Sequence, residues 1–96
     1  MRKRRDNTHS QMLKDLRKMG YSIQDTADVG GGFGDMVIAR GRNTALLEAK
    51  TPNGRKTARK LRSASQRKFA KGWKGVIICA FDAFEAHTAF NEVFNG

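Results

Sequence analysis

The segment GGGFGDMVIARGRNTALLEAK, residues 30–50, holds two apolar runs, Met36-Val37-Ile38-Ala39 and Thr44-Ala45-Leu46-Leu47. Arg40-Gly41-Arg42-Asn43 lies between them, which reads as two adjacent strands joined by a tight turn. Side chains two apart on a strand share a face, so Glu48 and Lys50 stand side by side with Leu46 behind them. Asp35 opens the preceding strand and can reach the same place. An Asp and a Glu converging beside a Lys supply two hard oxygen ligands for Mg²⁺ and a cation that can orient water or balance phosphate charge. An acid two places before a Lys is common in any chain, and taken alone Glu48 and Lys50 read rather as a solvated pair at a strand end. The acid on the preceding strand, the glycines before it and the basic segment after it favour the chemical reading.

That basic segment contains Arg55, Lys56, Arg59, Lys60, Arg62, Arg67, Lys68 and Lys71 with almost no compensating acid. Thr51-Pro52-Asn53-Gly54 breaks the strand before it. From Ala58 to Trp73 the spacing predicts one helix, with Ala58, Leu61, Ser65, Phe69 and Trp73 on a single face. Gln66 flanks that stripe on the side of Arg59 and Arg62. Such an excess of one sign points to phosphate contacts made without base-reading side chains.

With these pieces in place the chain resembles the PD-(D/E)XK nuclease superfamily, and within it the small stand-alone VRR-NUC type of phages and bacteria. The residues that carry the resemblance are GGGFGD ending in Asp35, LLEAK with Glu48 and Lys50, Ser65-Gln66-Arg67-Lys68-Phe69, and Trp73-Lys74-Gly75; it spans roughly Asp6 to Phe90. It implies a restriction-endonuclease-like α/β domain that hydrolyses phosphodiester bonds in DNA. Asp35, Glu48 and the Ala49 carbonyl would hold Mg²⁺ or Mn²⁺, Lys50 would orient or activate water, and Gln66 would steady the water or the phosphate. It further implies a homodimer acting on branched DNA such as a Holliday junction. The family adds a Glu from the first turns of its opening helix; this chain offers His9 and Gln11 there. A non-catalytic basic module that binds nucleic acid is the competing expectation.

Length and composition agree with a small folded cation. The 96 residues carry 19 Lys and Arg against 9 Asp and Glu, a formal charge of +10, with 39% hydrophobic residues, too many for a disordered basic tail. A domain of this size buries only about 60% of the unfolded chain's surface, so a second subunit would help. The longest apolar run, Gly75 to Phe81, is far too short to cross a bilayer. The start, Met1-Arg2-Lys3-Arg4-Arg5, has no apolar segment behind it and reads as a basic arm (residues 1–6) before a domain of residues 7–96, not as a secretory signal. The single Cys79 excludes an internal disulfide and fits a reducing cytoplasm, bacterial or in a phage-infected cell; it is expected to be a buried small hydrophobe. No small-molecule cofactor is implied, since no Gly-Lys-Ser/Thr follows the glycines. They read instead as a hairpin connection that would let a DNA backbone approach Asp35.

Met12, Leu13, Leu16 and Met19 mark a first helix from Asn7 that stops at Gly20, and Tyr21–Thr26 alternates as a first strand. Val76–Phe81 reads as a strand buried on both faces. Asp82 can cap a last helix on which Phe84, His87, Phe90 and Phe94 recur, with His87 structural and the phenylalanines available to a second subunit. The expected fold is α/β, α-β-β-β-α-β-α around one mixed sheet.

Overall fold

The structure, a computed structural model, describes residues 7–52 and 54–95. The expected N-terminal arm lies outside the described residues. Three helices, α1 (Asn7–Lys18), α2 (Ala64–Gly72) and α3 (Ala83–Asn95), flank a mixed sheet of four strands, β1 (Ser22–Asp25), β2 (Met36–Arg40), β3 (Asn43–Ala49) and β4 (Ile77–Ala80). Spatial order follows chain order, with β1-β2-β3 antiparallel and β3-β4 parallel.

Arg40 pairs with Asn43, so the β2–β3 connection is a two-residue loop, Gly41-Arg42. Gly41 takes φ +64° while Arg42, like every other non-glycine among the described residues, does not have positive φ, the combination that a type II′ turn requires and that matches the twist of the strands.

One face of the sheet meets α1 and α3. Met36, Ile38, Ala45, Leu47, Ile78 and Ala80 point to it and pack against Met12, Leu16, Ala83, Ala86 and Phe90. Phe90 is 1% exposed, worth roughly 1.5–3 kcal/mol of hydrophobic stabilisation. Tyr21 closes the layer: its ring meets Phe90 edge-on at 5.0 Å, and its hydroxyl lies 2.8 Å from His87 Nδ1. Burial raises the Tyr21 pKa, partly offset by the Arg40 guanidinium stacked over the ring. Arg40 also donates to Asn91 Oδ1 at 2.7 Å, so His87 belongs to a structural network, as expected. The helix α3 begins on its expected cap, with the Glu85 N–H donating to Asp82 Oδ1 at 2.8 Å.

The phenylalanines of α3 do not form one outward face. Phe90 is spent in the core, Phe94 packs on it with ring centroids 4.6 Å apart, and Phe84 is 72% exposed.

The segment covering the opposite face differs from the single helix expected over Ala58–Trp73. A short 3-10 turn, Arg59–Leu61, is followed by a break at Arg62-Ser63 and then α2. The break has a local cause. Ser63 Oγ accepts from the Gln66 N–H at 3.2 Å while Gln66 Oε1 accepts from the Ser63 N–H at 3.0 Å, a reciprocal capping box that starts a new helix. The apolar stripe therefore does not act as one core face: Ala58 is buried, Leu61 and Phe69 are half-buried, and Ser65 and Trp73 are exposed. Nor is β4 buried on both faces, because Ile77 and Cys79 alternate with the buried Ile78 and Ala80 and remain half-buried.

Candidate active site

The ends of β1, β2, β3 and β4 that adjoin the loops after Asp25, before Met36 and after Ala49 and Ala80 bring the expected residues together. Asp35 precedes β2 and is tied there by its backbone, its N–H donating to the Leu47 carbonyl at 2.9 Å and its carbonyl accepting from Thr26 N–H at 2.9 Å. Its carboxylate then caps the end of β3, Oδ2 accepting from the Ala49 N–H at 2.8 Å. Strand alternation turns Glu48 to the covered face, where it is fully buried. Lys50 continues that face and donates to Gln66 Oε1 at 2.5 Å.

Gln66 thus has a double task. The same oxygen that completes the helix cap receives the Lys50 ammonium, so α2 begins where Lys50 needs an acceptor. The geometry makes Gln66 a holder of Lys50 as well as the helix cap.

Glu48 is engaged in a way the sequence did not disclose. Its Oε2 accepts from Arg62 Nε at 2.9 Å and from the Cys79 thiol at 2.9 Å. The parallel register sets Glu48 opposite Cys79, and the chain break at Arg62-Ser63 lets Arg62 turn inward. Arg62 and Glu48 have side chains only 10% and 1% exposed. Burial pulls the Arg62 pKa down, but the hydrogen bond to Glu48 and the acidic groups around it outweigh this and leave it raised. Burial first, then the Glu48 hydrogen bond and charge, push the Cys79 thiol up to about 12. Cys79 is thus a donor to a carboxylate and not the inert hydrophobe expected, and Arg62 is an internal counter-ion, unlike the solvated cations around it. A sequence signal for the break existed in Ser63-x-x-Gln66, the capping-box pattern.

The second oxygen, Glu48 Oε1, is buried and has no hydrogen-bond partner among the described residues. A buried carboxylate oxygen left unpaired is costly, roughly 1–3 kcal/mol or more for a charged group, and a cation would remove that cost. Among the described residues no group of three or more His, Cys, Asp or Glu is placed to hold a metal. An ion here would draw on Asp35, Glu48, the Ala49 carbonyl and water, an all-oxygen set that suits Mg²⁺, which retains several waters. The residues present fit such an ion.

The positions in the opening helix do not add an acid. His9 is buried with Nε2 3.3 Å from Asp25 Oδ1, and Gln11 donates to Asp15 within α1 at 2.9 Å. Thr8 Oγ1, 3.4 Å from Thr51 Oγ1, nevertheless brings the start of α1 to the residue after Lys50.

Arg55, Lys56, Arg59, Lys60, Arg67 and Lys68 are exposed. Arg59, Lys60, Arg62, Arg67 and Lys71 line an open concavity of about 690 Å³ that carries no acidic side chain. Arg67 is fixed there by its donation to the Arg62 carbonyl at 2.7 Å.

Of the glycines at 30–32, Gly32 serves packing, while Gly30 and Gly31 face open space. Gly32, at φ +82°, lies so close to α2 that a Cβ would stand 2.2 Å from the Ser65 carbonyl oxygen. The connection is a hairpin, as expected, but Gly32 uses its missing side chain to seat α2 beside Asp35.

Fold and site together define a small α/β domain with paired acids at the open end of a mixed sheet, beneath a cationic cover. No family model, curated protein or solved structure matches the chain. Among the described residues no helix is long and apolar enough to cross a membrane.

Proposed function

We propose that the chain is a divalent-metal-dependent endodeoxyribonuclease. The observation that carries this reading is the buried Glu48 carboxylate, with Oε1 unpartnered among the described residues, next to the Asp35-capped strand end and the Lys50–Gln66 pair. Mg²⁺ or Mn²⁺ held by Asp35, Glu48 and the Ala49 carbonyl would supply charge neutralisation for a phosphodiester. Lys50, fixed by Gln66, orients the attacking water from two residues beyond Glu48 on the same face of the strand. Arg55, Lys56, Arg59, Lys60, Arg67 and Lys68 hold the flanking phosphates, so affinity falls steeply with salt. The resemblance to the VRR-NUC nucleases supports branched DNA, including Holliday junctions, as substrate and a two-fold homodimer as the active form.

A labelled junction and a supercoiled plasmid, incubated with Mg²⁺ and with EDTA, test the reading. Cleavage is expected only with Mg²⁺, and Asp35→Ala and Glu48→Gln are expected to reduce it to the EDTA level while binding DNA as well as the parent. Equal cutting by parent and either variant refutes the assignment. The occupied Oε2 of Glu48 favours a second reading, a basic DNA-binding module without catalysis. Salt-sensitive binding with no cleavage in Mg²⁺ or Mn²⁺ would select it.

A further inference from the structure

Three aromatic rings stand apart from the main core. Phe69 and Trp73 stack with centroids 5.2 Å apart and planes 24° apart, and Phe33 from the glycine loop meets them edge-on at 5.5 and 6.1 Å. None belongs to the core cluster around Phe90, and Trp73 is 41% exposed. Phe33 and Phe69 are half-buried and clamp the loop to α2; the indole extends beyond them into solvent. The indole, unlike the singly exposed Phe84, thus continues a three-ring cluster and presents one face of it to solvent, where a planar group can stack.

The surroundings indicate which one. Beside Trp73 runs an open cleft of about 500 Å³, lined by Gly31, Ser65, Lys68, Phe69 and Gly72. Glycine walls leave room for a flat ring, and every charged residue from Lys50 to Lys74 is a Lys or Arg. Gly75 matters too, since a Cβ there would lie 2.8 Å from the indole Nε1. An apolar face set in a wholly cationic stretch complements a polyanion that carries π-faces, which is a nucleic-acid strand with its bases unpaired. Paired bases offer no such face, because stacking within the duplex covers it. Phe69 and Phe33 also hold the indole in one orientation, which reduces the entropy lost on binding.

Distance links the platform to the site. Trp73 follows the last turn of α2 and Gln66 lies in its first, so the two stand at opposite ends of one short helix, roughly 10 Å apart along its axis. We propose that Trp73, backed by Phe69 and Phe33, is a stacking platform for an unpaired DNA base at the end of α2 away from the Lys50–Gln66 pair. The preferred substrates are then flaps, forks and gapped junctions, in preference to a fully paired four-way junction. This rests on DNA being the ligand and is independent of whether the chain cuts it.

Trp73 is the one tryptophan of the chain, so its fluorescence reports directly on the platform. The full chain, kept in EDTA at fixed salt, is titrated with an oligothymidylate of eight nucleotides, an eight-unit abasic strand and a blunt duplex. Quenching is expected with oligothymidylate alone. The oligothymidylate is expected to bind about 5- to 150-fold tighter than the abasic strand, the range that stacking of one base gives. By anisotropy of labelled oligothymidylate, Trp73→Ala loses that advantage and Trp73→Phe keeps most of it, while the slope of affinity against salt stays unchanged because no charge is lost. Equal affinity for the thymidine and abasic strands, or an unaltered preference in Trp73→Ala, overturns the platform and leaves the nuclease reading standing. If circular dichroism shows Trp73→Ala unfolded, the parent's quenching and abasic comparison decide. Failure of the folded parent to bind any of the three strands overturns the platform and the DNA reading together.

Discussion

Arg62→Ala tests the buried centre of the site through stability. Arg62 and Glu48 meet at 2.9 Å with side chains 10% and 1% exposed, so the substitution leaves a carboxylate without its counter-ion in a place water barely reaches. Breaking a buried pair from one side costs about 3–5 kcal/mol, whereas an exposed pair is worth about 0–1. At about 0.05–0.15 kcal/mol per residue, a domain of 96 residues has roughly 5–14 kcal/mol in all, so the loss would be a large fraction of the total. Glu48→Gln should cost less, about 1–2 kcal/mol, because the amide still accepts from Arg62 and the guanidinium lies nearer solvent. The double variant Arg62→Ala/Glu48→Gln should be milder than the sum of its singles by about 2 kcal/mol or more. Urea denaturation followed by circular dichroism provides the four energies, with equal m-values as the check that two-state bookkeeping holds. A single-variant cost under about 1 kcal/mol with coupling below about 0.5 would refute the argument, since those are surface-pair values. Millimolar Mn²⁺ should narrow the Arg62→Ala deficit, because a cation at Oε1 replaces the lost charge; at a hundred times Kd it contributes about 2.7 kcal/mol.

Gly32→Ala should be costlier than Gly31→Ala: both have positive φ and incur about 1–2 kcal/mol of left-handed strain, but only at Gly32 would a Cβ meet the Ser65 carbonyl, at 2.2 Å. Equal denaturation midpoints for the two variants would show that the glycine loop does not seat α2. Cys79, raised from 9.0 to about 12 by burial and by Glu48, should react with a disulfide reagent at pH 8 about a thousandfold more slowly than an ordinary thiol, recovering the ordinary rate in urea. The native thiol holds its proton more tightly than the unfolded one, so its contribution to stability is complete below pH 9 and drains away as pH rises toward 12. Alkaline denaturation of Cys79→Ala should lack that component, and an unchanged profile would remove Cys79 from the buried cluster.

Much of the fold was legible because it rests on local patterns. The β2–β3 hairpin announces itself through apolar runs around Gly41, and α1 and α3 through apolar stripes with Gly20 and Asp82 at their boundaries. The basic segment misled for a physical reason. Helical spacing of Ala58, Leu61, Ser65, Phe69 and Trp73 continues through Arg62-Ser63, but hydrophobic periodicity does not register a cap made of two polar side chains. Asp35, Glu48 and Lys50 could be placed at one end of the sheet from alternation and order alone. The partners of Glu48 could not: Arg62 reaches it across 14 residues and Cys79 across 31, through a chain break and a parallel register that only the folded topology supplies.

The two faces of the sheet are closed by different forces, and this bears on the site. Helices α1 and α3 bury Met12, Leu16, Ala83, Ala86 and Phe90 against one face, a cover held by apolar area. The other cover buries none of the residues of its 3-10 turn or of α2. It is held instead by Arg62 on Glu48, Gln66 on Lys50, and Gly32 and Phe33 on the start and flank of α2. The first two of these attachments end on the residues placed at the centre of the chemistry. A cation that satisfies Glu48 competes with Arg62 for the same carboxylate, and a phosphate that draws Lys50 competes with Gln66. Ligand binding and the seating of the cationic cover would therefore act on the same four side chains, so that in the proposed function a charge-rich segment serves at once as a wall of the fold and as the surface offered to DNA.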